Sequence, residues 1–164
     1  MARNHSQPLN RRIRQSRFES PQHEAMLGLL VAAGHLRERI EAVCARHQVT
    51  GGQYNVLRVL RGAHPDGYPR WDIARRLIER APDVTRLIDR LADNGWVDRA
   101  RSENDRRLSV TRITAKGLKL LERMQGEIDA IQEDLARRLP DRDARALSEL
   151  CARLYDVGTE EEES

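Results

Sequence analysis

The sequence predicts a mainly α fold carrying one small β-hairpin, and three observations predict it. Apolar residues recur at helical spacing along most of the 164 residues. A short helical segment around Trp71–Ile78 is followed, after a break, by a second one opening at Pro82-Asp83-Val84-Thr85-Arg86. Two strand-like runs, Trp96–Arg99 and Leu108–Ile113, then flank a charged tip, Asn104-Asp105-Arg106-Arg107. Two helices joined by a tight turn and followed by a basic hairpin form a winged helix-turn-helix, flanked at both ends by further helices.

Residues 1–20 are rich in Arg, Asn, Ser and Gln and read as a basic, partly disordered arm with a short helix from Asn10 to Ser20. From Gln22 to His47, Leu27, Leu30, Val31, Ile40, Val43 and Cys44 make one apolar stripe on a long helix. Thr50-Gly51-Gly52-Gln53 has the S/T-x-x-E/Q form of a capping box and opens a second helix with Tyr54, Val56, Leu57, Val59 and Leu60. Gly62 and a turn over Ala63–Tyr68 close it. Pro69 suits a first helical turn, and Ile73, Ala74, Leu77 and Ile78 supply the core face of the third helix. Val84, Leu87, Ile88 and Leu91 face inward on the fourth, which Gly95 ends.

After the hairpin, Thr114-Ala115-Lys116-Gly117 caps a long fifth helix. Its apolar residues Leu121, Met124, Ile128, Ile131 and Leu135 step by three and four, a narrow seam suited to a partner helix. Packing against the chain's own helices is the alternative. Pro140 opens a sixth helix with Ala144, Leu147, Leu150, Cys151, Leu154 and Tyr155, and residues 157–164 form an acidic, disordered tail. The division is therefore an arm over 1–20 and a single domain over 21–156. Within that domain the winged helix-turn-helix spans about 50–117, and the terminal helices occupy 22–47 and 115–156.

Net charge is +3, but its placement says more. Residues 50–116 hold thirteen Arg and one Lys against nine acids, while the last nine residues hold five acids and no base. Positive charge thus coincides with the predicted winged helix-turn-helix, the charge placement of a nucleic-acid-binding segment. Arg outnumbers Lys 27 to 2, which suits bidentate contact with phosphate or guanine. Two cysteines without a CxxC argue against a disulfide framework and fit a reducing cytoplasm. The apolar run Ala25–Leu36 is too short to span a bilayer. No phosphate-binding Gly loop, HExxH or G-x-S-x-G is present, and the scattered histidines lack zinc spacing. Neither an enzyme nor a cofactor is expected.

On the predicted reading helix, Asp83, Thr85, Arg86 and Arg90 lie opposite or beside the apolar face. Arg86 could donate to guanine O6 and N7, and Thr85 could touch a thymine methyl or a phosphate. On the hairpin, one of Arg106 and Arg107 would enter a minor groove with Asp105 bracing it. Arg75, Arg76, Arg99, Arg101 and Lys116 are the phosphate-contact candidates. An ordinary solvated helix face and a charged turn are the bland alternatives.

These residues, in this order, resemble the MarR family of bacterial transcription regulators. The resemblance rests on Thr50-x-x-Gln53-Tyr54-x-Val56-Leu57, Asp72–Leu77, Val84–Leu91 with Gly95-Trp96-Val97-x-Arg99, and Asp105-Arg106-Arg107 followed by Ile113-Thr114-x-x-Gly117. It implies a cytoplasmic homodimer joined through terminal helices and gripping a pseudo-palindrome on double-stranded DNA. Most such proteins are repressors released by a small molecule, here expected to be aromatic or phenolic, or by an oxidant. The resemblance puts Arg107 at the wing tip. It adds Leu147, Leu150 and Leu154 to the dimer seam, and His35, Arg39, His47, Tyr54, Tyr68 and Trp71, with Cys44, to an effector pocket. The peroxide-sensing branch places its cysteine near the start of the first long helix, whereas Cys44 sits late. Other readings are an activator, a ligand-independent architectural DNA binder, and a winged helix that binds a protein.

Overall fold

The computed structural model describes residues 7–15, 17–79, 83–101 and 109–156. In chain order the elements are α1 (Gln7–Ile13), α2 (Pro21–Arg46), α3 (Gly51–Gly62), β1 (Tyr68–Pro69), α4 (Arg70–Arg76), α5 (Val84–Asp93), β2 (Val97–Arg101), β3 (Ser109–Ile113), α6 (Ala115–Arg138) and α7 (Asp141–Tyr155). The three strands form an antiparallel sheet in the order β1-β3-β2. Val97 pairs with Ile113 and Arg101 with Ser109, which sets the hairpin register.

Local chemistry fixes most element ends. The Thr50 side chain accepts from Gln53 N at 3.2 Å while Thr50 N donates to Gln53 Oε1 at 2.9 Å, completing the expected capping box. The α5 N-cap is Asp83, whose carboxylate accepts from Arg86 N at 2.9 Å. At the start of α6, Thr114 Oγ1 accepts from Gly117 N at 3.1 Å and donates to the carbonyl of Gly95 at 2.8 Å. A side chain at Gly117 would collide with the Trp96 carbonyl, so only glycine lets α6 come this close to the root of the hairpin. Gly95 itself has φ +70, the left-handed conformation expected of a residue ending a helix.

The core lies where α2, α3, α5 and α6 meet the sheet. Leu57 and Leu60 of α3, Ile73 of α4, Ile88 and Leu91 of α5, and Leu120 and Met124 of α6 are its largest fully buried side chains. This packing holds the inner face of α5 fixed, which is what positions its outer face.

Several expectations are corrected. The N-terminal helix covers Gln7–Ile13 rather than Asn10–Ser20. Tyr68 and Pro69 are not turn and helix but an edge strand against Thr111 and Val110, a place where proline's missing N–H costs nothing. Pro69 is the N-cap of α4. That helix stops at Arg76, leaving Ile78 at 79% exposure instead of in the core. In α2 the apolar stripe is buried at Val43 and Cys44, but Leu30 is exposed. Cys151 on α7 is half-buried.

The seam on α6 splits in two. Leu121, Met124 and Ile128 are buried in this chain's own core, with Leu121 at 2% exposure, so the 3-4 spacing there serves intrachain packing against the head. Ile131 packs partly on that core. Leu135, Leu147, Leu150 and Leu154 remain exposed, Leu154 at 70%, and can still meet a partner.

Polar contacts fasten α2 to α6. Arg39 Nη1 lies 2.7 Å from Asp134 Oδ2. His47 Nε2 lies 2.8 Å from Glu127 Oε1, and Arg46 pairs with the same carboxylate. The hydrogen bonds from His47 and Arg46 hold Glu127 below its usual 4.5, and that from Arg39, helped by Arg138, holds Asp134 below 3.8.

Three outcomes follow for folding. Leu121→Asp should destabilise the fold by on the order of 4 kcal/mol, as a charge enters the core. Leu154→Asp should leave the helical content of the chain unchanged, because that side chain is exposed within the single chain. A carboxylate lowered on folding stabilises in full above its unfolded pKa and loses that contribution as pH falls through the folded value. Urea titrations between pH 7 and 3 should therefore show a steeper acid loss for the wild type than for Glu127→Gln/Asp134→Asn. Equal slopes would remove the carboxylates from the acid response.

Candidate nucleic-acid interface

Helix α5 is anchored from within by Val84, Ile88 and Leu91. Its outer face presents Thr85 and Arg86 at the end capped by Asp83, and Asp89 and Arg90 further along. Asp83 is exposed but committed to that cap through the Arg86 N–H. Arg86 and Arg90 are exposed, and among the described residues neither has a side-chain partner. Among the described residues, nothing takes up the donors of either guanidinium group. A helix end anchored from inside, with free arginines outside, fits the width and acceptor-rich edges of a major groove.

The other basic candidates divide by whether an acid holds them. Asp89 on α5 pairs with Arg99 on β2, tying the hairpin root to the outer face of the helix. Arg76 pairs with Asp72 through bonds of 2.9 and 3.3 Å, and its guanidinium lies 4.3 Å from the Tyr68 ring centroid. Lys116 Nζ donates to the Asn94 carbonyl at 2.8 Å but keeps its charge. Arg75 and Arg101 are exposed and, among the described residues, unpartnered. Arg75, Arg101 and Lys116 thus have no acidic partner among the described residues, whereas Arg76 and Arg99 are each paired with one. The wing-tip candidates Asp105, Arg106 and Arg107 lie outside the described residues.

The six effector-pocket candidates do not meet in one place. Tyr54 is in the core, where burial raises its pKa. Tyr68 lies against Arg76, and His35 is exposed on α2. Arg39 and His47 belong to the α2–α6 ion pairs, beside a cleft of about 360 Å³ lined also by Val43, Arg46 and Ile131. Trp71, 58% exposed, faces a different cleft of about 380 Å³ between α4, α5 and the sheet, where Arg70, Thr85, Arg99, Ser109 and Thr111 also sit. Arg70 was not anticipated. It follows Pro69 in a stretch with no motif, and the fold alone brings it to Thr85, fifteen residues on.

The MarR family model matches residues 49–109, from the α3 cap to β3. A MarR transcription factor from Planctomyces limnophilus is 37% identical, with a TM-score of 0.60 over 87% of this chain and 100% of that one. This chain belongs to the MarR family. It is a MarR-type transcriptional regulator, and its winged head is the part such regulators turn to DNA. An HTH-type regulator of Bacillus subtilis, YwoH, is 35% identical over 98 residues, 60% of this chain and 69% of YwoH. The structure of the transcriptional repressor CouR bound to a 23-mer DNA duplex is 27% identical, with a TM-score of 0.67 over 85% of this chain and 99% of CouR. That of NadR in complex with 4-hydroxyphenylacetate is 25% identical, with a TM-score of 0.69 over 87% and 100%.

Within this MarR fold Cys44 is fully buried, and burial, with Glu41 adding to it, pushes its thiol up to about 11. A thiol held protonated at neutral pH is a poor nucleophile. In a Cys151→Ser variant, the remaining thiol should label with an aromatic disulfide reagent only as fast as the protein unfolds. Labelling within seconds under native conditions would restore a redox role for Cys44.

Proposed function

We propose that this MarR regulator acts as a homodimeric repressor on a pseudo-palindromic operator and is released by a small aromatic or phenolic effector. The observation that carries the DNA-reading part is the outer face of α5. Arg86 and Arg90 stand on a helix fixed by its buried inner face, yet among the described residues their guanidinium groups have no partner. Arg86 donates to a guanine edge, while Arg75, Arg101 and Lys116 grip phosphates. Arg107 of the wing follows the backbone into the minor groove. The reading assigns no catalytic step and places the protein in the cytoplasm.

The dimer reading is supported by the apolar side chains that α7 and the end of α6 leave in water: Leu135, Leu147, Leu150, Leu154 and Tyr155. Met26, Leu29 and Leu30 do the same on α2. Two heads so joined must address half-sites about 34 Å apart, one helical turn, or a multiple of it. An effector that changes the separation of the heads then weakens binding. The phenolic class is supported by NadR with 4-hydroxyphenylacetate.

Selection of fragments from random and genomic duplex pools by the purified protein should recover an inverted repeat. On that site Arg86→Ala should cost about 1–3 kcal/mol and relax preference at one base of each half-site. A uniform loss on every sequence would make Arg86 a phosphate contact, and recovery of DNA without a shared motif would favour an architectural binder.

A further inference from the structure

Arg70, the first residue of α4, reaches across the helix-turn-helix to α5. Its Nη1 donates to Thr85 Oγ1 at 3.0 Å. A guanidinium has donors and no acceptor, so the direction of this bond is fixed. A threonine hydroxyl has one hydrogen to give and two lone pairs. Arg70 takes up a lone pair, and among the described residues the hydroxyl hydrogen meets no acceptor. A hydroxyl that accepts from a cation is polarised and donates more strongly. The β-branched side chain has few χ1 choices, so the same bond also fixes where the methyl lies. Thr85 is half-buried, beside Arg86 on the helix face that carries the free arginines.

We propose that Arg70 is a positioning residue that sets base preference: it orients the Thr85 hydroxyl as a donor, so the base facing Thr85 is chosen for an acceptor in the major groove. Guanine O6 or N7, adenine N7 and thymine O4 meet that requirement, while cytosine presents only its N4 amino group there and does not. The inference rests on the DNA-reading function proposed above and adds to it a residue outside the reading helix.

The test is to repeat the duplex selection with the full-length protein and four variants: Arg70→Ala, Arg70→Lys, Thr85→Val, and Arg70→Ala/Thr85→Val. Arg70→Ala should lose about fivefold to tenfold discrimination at one position per half-site, within the range of a single base contact. The rest of the motif and the unfolding temperature should stay as in the wild type. Arg70→Lys, which keeps a donor, should recover part of the preference. In the Thr85→Val background Arg70→Ala should change that position no further. An equal loss on every sequence would overturn the proposal by making Arg70 a phosphate contact. An unchanged preference, or an Arg70→Ala effect that persists without the Thr85 hydroxyl, would also overturn it. If the wild type itself recovers no motif, the DNA-reading function fails first, and this inference with it.

Discussion

The junction of Gly95 and Trp96 with Thr114 and Gly117 is the constraint on which the rest of the head depends. There the end of α5, the root of the hairpin and the start of α6 meet within a few residues. Thr114 holds the Gly95 carbonyl through its hydroxyl and the Trp96 carbonyl through its backbone N–H. Gly117 leaves room for α6 to lie on that carbonyl. The reading helix and the longest C-terminal helix thus share one fixed point. From it α6 runs back through the core with Leu120, Leu121 and Met124 and joins α2 through Glu127 and Asp134. The far ends of α2 and α6 are therefore connected to the head by packing and ion pairs.

Polar pairs on the head have a second purpose beside local stability. Asp89 with Arg99 fixes the hairpin root relative to the outer face of α5, and Arg70 with Thr85 fixes α4 relative to the same face. Exposed ion pairs contribute little stability individually. Their value here is geometric, because two elements meant for different parts of one ligand must keep their spacing before that ligand arrives.

Much of this arrangement was legible in the sequence because it depends on local rules. The capping box at Thr50, the Gly95 stop, the inward Val84/Ile88/Leu91 face and the Thr114-x-x-Gly117 start each follow from a few adjacent residues. What was not legible depends on contacts distant in the chain. The periodicity of Leu121, Met124 and Ile128 announces an apolar helix face but cannot say whether its partner is the same chain or another. Ile78 has the right spacing for a core position, yet its helix has already ended. A two-residue strand such as β1 leaves no periodic trace, and nothing near Arg70 or Arg99 reveals that each faces α5. The candidate site was accordingly readable as to which residues lie outside, and unreadable as to which of their charges are already spent.

That last distinction has an ionic consequence. Each phosphate neutralised on double-stranded DNA releases roughly 0.9 of a condensed counterion, and this release drives much of the affinity. Arg76 and Arg99 come to the surface already balanced by Asp72 and Asp89, so they displace little of that ion atmosphere. Among the described residues, Arg75, Arg86, Arg90 and Arg101 have no acid to balance them. The head thus binds with fewer effective charges than its arginine count suggests. A salt titration of DNA binding should then report fewer released ions than a count of surface arginines gives.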